Sequence, residues 1–153
     1  MSYATIEAKV QTLLQNLSLF VDEDVTRGDY RVLDQVGGPY CVLTPGGFTS
    51  NAAATSYGEK TSIFWAVTLD LFVRHWGDGT EFTNVQSNRQ TIIDELAKYP
   101  TLDELEGVVY AAITGGDPPR TVYDDAGAAG WLMQRMTLEV HEKTDVSGGE
   151  YPS

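Results

Sequence analysis

Trp65-Ala66-Val67-Thr68-Leu69-Asp70-Leu71-Phe72-Val73 decides the fold class. Trp65, Val67, Leu69, Leu71 and Val73 fill every second position, with Thr68 and Asp70 between them. Period two marks a strand, because successive side chains leave a pleated backbone on opposite sides. The intervening positions are not purely polar, since Phe64, Ala66 and Phe72 share them. A strand apolar on one face and partly apolar on the other belongs inside a sheet, so residues 63–73 are predicted as a central strand.

On its N-terminal side, Tyr3, Ile6, Val10, Leu13, Leu14 and Leu17 recur at helical spacing, which predicts an amphipathic helix over residues 3–18 with Ser2 as its cap. Asp22-Glu23-Asp24 and the turn Arg27-Gly28-Asp29 follow. Tyr30–Asp34 and Tyr40–Leu43 are short β-prone runs separated by Gly37-Gly38-Pro39, and they suggest a hairpin. Residues 45–60, PGGFTSNAAATSYGEK, show no period and read as a long surface loop. Loops of that length in a compact domain are uncommon and are often functional.

On its C-terminal side, Gly77-Asp78-Gly79 makes a turn, and Thr83-Asn84-Val85-Gln86 fits a capping box. Phe82, Val85, Ile92, Ile93 and Leu96 then line one helical face, with Arg89 at its edge, predicting a helix over about residues 81–98 that Tyr99-Pro100 ends. Val108–Ile113 is a short strand broken by Gly115-Gly116-Asp117-Pro118-Pro119. Thr121-Val122-Tyr123 is short and β-prone, and Trp131–His141 is the last long strand, with Gln134 an exception on its apolar face. The expectation is one α+β domain over residues 1–143, followed by a flexible polar tail at 144–153. Its mostly antiparallel mixed sheet has about four to five strands, with two amphipathic helices packed on one face.

Composition excludes several function classes. The chain has 153 residues, ten basic against 22 acidic, and a net charge of −12. Phosphate backbones and anionic membranes are bound by clustered Lys and Arg, which this balance does not supply. Cys41 is the sole cysteine, so neither an intrachain disulfide nor a multi-cysteine metal site forms. No apolar run reaches the length of a membrane span, and Met1–Phe20 lacks the pattern of a signal peptide, which points to the cytoplasm as the place of synthesis.

No catalytic, cofactor-binding or metal-binding constellation stands out. His75 and His141, the two histidines, have no partners at ligand spacing. Gly77-x-Gly79 is followed by Phe82 where a dinucleotide loop needs a third glycine. Contiguous acids such as Asp22-Glu23-Asp24 lack the spaced oxygens of a calcium loop. Trp65 and Trp131 suit a core, whereas Trp76 in a turn is a candidate interface anchor.

The order of segments resembles the tail-terminator (tail completion) proteins of long-tailed phages. The resemblance is carried by the opening helix and by the strand pair and loop before Ile63–Val73. It continues through Asn88-Arg89-Gln90-Thr91-Ile92-Ile93-Asp94-Glu95-Leu96 leading into Tyr99-Pro100-Thr101-Leu102, and the closing strand Trp131–Val140. It implies a structural, non-enzymatic virion protein at the tail–neck junction, made in the host cytoplasm. Such a subunit forms a homo-oligomeric ring, expected to be a hexamer. The ring caps the tail tube protein, stops its polymerisation and offers a docking surface to the head–tail connector. DNA passes through without specific binding. On this reading Phe48, Thr49, Ser50, Asn51, Tyr57 and Trp76 are candidate assembly contacts, and Asp22, Glu23 and Asp24 are candidate lumen acids that repel phosphates. A head–tail connector or neck subunit, a small cytoplasmic enzyme and a binding module stay open as alternatives.

Overall fold

The computed structural model describes residues 3–28, 38–50, 60–74, 80–123 and 129–145. Helix α1 spans Tyr3–Gln15, and a single 3-10 turn covers Asp22–Asp24. Strands β1 (Val25–Arg27), β2 (Tyr40–Ser50) and β3 (Lys60–Arg74) follow, then helix α2 (Thr80–Ala97). Strands β4 (Val108–Gly116), β5 (Arg120–Tyr123) and β6 (Ala129–Asp145) complete the described chain.

The sheet runs β1-β2-β3-β6-β4, with β5 also on β6. Strands β3 and β6 form the antiparallel spine, in register from Lys60↔Asp145 to Arg74↔Trp131. The far edge of β6 is shared end to end: β5 pairs Ala129–Met133, and β4 pairs Met136–Glu142. The sheet is mixed because β1 lies parallel to β2, Val25 opposite Cys41. Parallel neighbours need a connection of about a dozen residues, which residues 28–39 supply.

Alternation of side chains divides the core. Val67, Leu69, Leu71 and Val73 of β3 and Leu132, Met136, Leu138 and Val140 of β6 are buried on one face. There they meet Ile6, Val10, Leu13 and Leu14 of α1 and Val85, Ile92 and Leu96 of α2. Both amphipathic helices therefore cover the same face. A smaller cluster of Tyr40, Val42, Phe72, Trp131 and Met133 lies on the other face, packed with Val122. Trp131 is buried there, and Trp65 is half-buried on the helix side.

Several local expectations change. Helix α1 ends at Gln15, three residues short, because the chain tightens at Leu17, whose amide donates to the Leu14 carbonyl at 3.1 Å. Helix α2 begins at Thr80, so Thr83 and Gln86 sit inside it, exposed, and form no capping box at its start; Phe82 is 49% exposed and lies outside the core. Residues 45–50 are strand and not loop, since Pro45-Gly46-Gly47 makes a bulge in a continuous ladder with β3. Likewise β4 continues through Gly115 and Gly116, and Asp117-Pro118-Pro119 ends it. Thr144 and Asp145, assigned to the polar tail, extend β6. The strand expected at Tyr30–Asp34 and the turn at Gly77–Gly79 lie outside the described residues.

The connection after α2 is a compact left-handed turn. Leu102, Asp103 and Glu104 have φ of 52°, 59° and 60°. Each such residue costs about 1–2 kcal/mol. The turn is held because Leu102 is wholly buried and its amide donates to the Tyr99 carbonyl at 2.8 Å. The Leu105 amide donates to the Thr101 carbonyl at 3.0 Å, and the Ala111 amide to that of Pro100 at 2.7 Å.

Candidate assembly surfaces

The outer half of β2 forms an arm with the start of β3. Beyond Pro45 the ladder slips by one residue and resumes at Phe48↔Trp65, Thr49↔Phe64 and Ser50↔Ile63. Gly46 permits the slip, because a Cβ there would stand 2.9 Å from the Ala66 Cβ and 3.0 Å from its carbonyl oxygen. Strand β1 pairs only Cys41–Leu43, so the outer edge of β2 beyond Leu43 carries no strand among the described residues. Such an edge offers backbone donors and acceptors to another chain.

Phe48 is 65% exposed on this arm, and its ring lies 5.3 Å from that of Trp65. Trp65 is 5.7 Å from Tyr3 at the start of α1, so an aromatic row joins the arm to the helix layer. Its root is polar and tightly bonded. Trp65 Nε1 donates to Glu142 Oε1 at 3.0 Å, and the Tyr3 hydroxyl donates to Glu7 Oε2 at 2.7 Å. Arg27 Nε donates to Glu7 Oε1 at 3.1 Å, and Arg27 Nη2 to the Ala4 carbonyl, also at 3.1 Å. Burial, reinforced by Glu7, pushes the Tyr3 phenol well above its ordinary pKa.

The expected assembly residues thus divide. Phe48, Thr49 and Ser50 come together on the exposed arm, on a strand where a loop was expected. Asn51, Tyr57 and Trp76 lie outside the described residues. Of the acidic triplet, Glu23 is exposed, whereas Asp24 is 6% exposed and so presents almost nothing to solvent. The 3-10 turn that folds Asp24 inward has its amide donating to the Val21 carbonyl at 2.8 Å. The side chain of Asp22 is outside the described set.

Two further features escaped the sequence reading. On the sheet face opposite the helices, Arg135 grips Asp70 with two bonds, Nε to Oδ1 at 2.8 Å and Nη2 to Oδ2 at 3.0 Å. Below this pair His141 stacks on Phe64, centroids 4.3 Å apart, and meets the edge of Tyr110. The Tyr110 hydroxyl donates to Glu139 Oε1, which raises the phenol's pKa. Beside α2, a pocket of about 480 Å³ lies between Arg89, Ile93, Ile113, Gly116, Pro118 and Gln134. Gln134, the polar exception on β6, is 2% exposed; it accepts from Arg89 at 3.3 Å and donates to the Asp117 carbonyl. Among the described residues no group of three His, Cys, Asp or Glu side chains is arranged to hold a metal ion. Among those residues, too, no helix is long and apolar enough to cross a membrane.

No protein-family model matches the sequence, and no curated protein does. A solved structure is similar: a chain of the virion of a native gene transfer agent (GTA) particle. It superposes with a TM-score of 0.62 over 94% of this chain and 100% of that chain, at 15% sequence identity. At that identity the likeness is one of fold, and it takes in the helix layer and the sheet together.

Proposed function

We propose that this chain is a structural subunit of a phage-like particle, and specifically a tail terminator. On this reading it forms a ring, expected to be hexameric, that caps the tail tube, stops its growth and receives the head connector. The single observation that carries the reading is the fold shared end to end with a chain of a gene transfer agent virion. The segment order set out above favours the terminator among virion roles. The edge of β2 beyond Leu43, which carries no strand among the described residues, supplies with Phe48 on its arm a surface suited to strand addition by a neighbouring subunit or ring. The net charge of −12 suits a conduit to which DNA does not adhere. Of the two triplet members whose side chains are described, Glu23 is exposed and could serve in that lining.

An early stop codon in this gene, in the strain that makes the particle, tests the reading by negative-stain microscopy of lysates. Overlong tubes beside filled, tailless heads are expected. Tubes of normal length beside unattached heads would place the subunit in the neck, and unchanged particles would remove the virion role.

A further inference from the structure

The cleft beside α2 is built around a cation without a counter-ion. Arg89, half-buried, lines it, and its Nη1 donates to Gln134 Oε1 at 3.3 Å. A guanidinium has five N–H donors, and among the described residues Arg89 has no other acceptor and no carboxylate. The other cations of the helix side differ: Lys9 meets Asp103, Arg27 meets Glu7 and Lys98 meets Glu95. Gln134 is 2% exposed, and its amide nitrogen donates to the carbonyls of Asp117 and Arg135, the latter at 3.1 Å. Both amide hydrogens are thereby used, so the amide oxygen is turned toward Arg89 and holds the guanidinium at the wall of the cleft. Gln134, the polar break in the apolar face of β6, thus orients a charge.

We propose that this cleft binds an acidic side chain with apolar neighbours, on an extended segment of a partner protein. The site goes beyond the terminator role and does not depend on it. Apart from Arg89 and Gln134 its walls are largely apolar, with Ile93, Ile113, Pro118, Pro119 and Met136. Its volume of about 480 Å³ lies within the range of ligand pockets, roughly 300–1,000 Å³. A carboxylate held by two N–H groups of one guanidinium is a strong, directional pair, and low-dielectric surroundings strengthen it. Apolar side chains on either side of that carboxylate then cover the remaining wall. The surface continues along the helix. Phe82, Arg89 and Ile93 fall on one stripe of α2, because seven and eleven residues each come within about 20° of whole turns. Phe82 is 49% exposed at the far end of that stripe. The rise from Phe82 to Ile93 is about 16 Å, which an extended segment of about five residues spans.

Charge and length select the occupant. Phosphate backbones call for several clustered cations, and this cleft has one, with Asp117 exposed at its rim. One guanidinium matches one carboxylate. Asp117 does not fill that place, since it makes no ion pair with Arg89. At physiological salt fields fade over about 8 Å, so the net charge of −12 acts weakly on a contact made at hydrogen-bond distance. A compact free acid would fill the cleft and leave Phe82 bare, whereas a segment covers both.

The test uses the full-length protein and a rhodamine-labelled, end-blocked pentapeptide, a glutamate with two leucines on either side, followed by fluorescence anisotropy. The same peptide with glutamine in place of glutamate is the control. Wild type is expected to bind the glutamate peptide about tenfold or more tighter than the control. Arg89→Gln should abolish that preference and leave the glutamine peptide unchanged, a pattern that loss of fold would not give. Phe82→Ala should weaken both peptides alike, by about threefold or more. Asp117→Asn should tighten the glutamate peptide alone, by about twofold. Far-ultraviolet circular dichroism checks that each variant remains folded. Equal affinity of wild type for the two peptides, or binding of neither, would overturn the carboxylate site. A preference that survives in R89Q would place the binding elsewhere and overturn it too. Displacement of the labelled peptide by 4-phenylbutyrate as readily as by unlabelled peptide, with F82A indistinguishable from wild type, would assign the cleft to a free small acid and overturn the segment. Self-association of wild type in light scattering that is lost in R89Q would assign the cleft to a second copy and overturn the partner protein. None of these outcomes bears on tube length, which tests the terminator role separately.

Discussion

Replacing Arg135 with Gln should destabilise the fold far more than its half-exposed position suggests. Asp70 is 0% exposed on the central strand β3, and Arg135 bonds both of its oxygens. Removing one partner of a fully buried ion pair costs about 3–5 kcal/mol, because a charge is left in a low-dielectric site. The Arg135 side chain is 41% exposed, so water reaches the gap and softens that penalty, to about 2–3 kcal/mol. With a urea slope of about 2 kcal/mol per molar, the midpoint should fall by roughly 1–1.5 M. Arg135→Lys keeps the charge without the fork and should fall between R135Q and wild type. The double variant D70N/R135Q should recover part of the loss, which would show as a coupling of about 1.5 kcal/mol or more. Urea unfolding followed by tryptophan fluorescence, at several protein concentrations to separate self-association from folding, reads wild type, R135Q, R135K, the single variant D70N and the double variant. A midpoint shift under about 0.3 M for R135Q, or strict additivity in the double variant, would refute the reasoning.

Other outcomes follow from single atoms. Gly46→Ala should cost about 1–3 kcal/mol, because its Cβ meets Ala66 at 2.9 Å. Gly47→Ala, with nothing within 4 Å, should stay within about 0.5 kcal/mol of wild type; equal effects in urea unfolding would contradict the bulge geometry. His141 Nε2 is covered and has no hydrogen-bond partner among the described residues, so His141→Phe, which keeps the stack on Phe64, should raise the melting temperature by about 2–4 °C; a fall would point to a bond at that nitrogen. Burial pushes the Cys41 thiol up, and burial with Glu7 does the same for the Tyr3 phenol. Both groups ionise more readily in the unfolded chain, which then binds fewer protons, so stability should be full below about pH 8 and decline above it. Cys41→Ala with Tyr3→Phe should flatten that alkaline decline in urea midpoints, and an unchanged slope would rule out these two groups as its cause.

How much of this was legible depended on the range of the interaction that decided each element. Alternation over Trp65–Val73 and the helical spacing of Ile6, Val10, Leu13 and Leu14 are local signals, and both elements formed as expected. Burial of a whole face confirms such patterns without reference to the rest of the chain. The arm was misread because Pro45-Gly46-Gly47 has the composition of a turn, and only the ladder with β3 makes it a bulge. Strand β1 is three residues long and parallel to β2, too short to carry a period of its own. The left-handed turn at Leu102–Glu104 uses no glycine at those positions, so nothing in its residue types signalled it. Among candidate site residues, Phe48 was reached for its place in a long loop and proved exposed on a strand. Asp24 looked like a solvated acid until the 3-10 turn carried it inward. Asp70 and Arg135 were visible as polar residues within strands, but their pairing depends on a register across 65 residues of chain.

Arrest of tube growth is the proposed role, and tube length measures it most directly. Purified protein would be added to the particle's tail tube subunits as they polymerise, and lengths scored by negative-stain microscopy against dose. Tubes that shorten as protein is added, each bearing one extra ring at a single end, are the expected result. Tubes whose length distribution is indifferent to an excess of protein, with both ends bare, would contradict it.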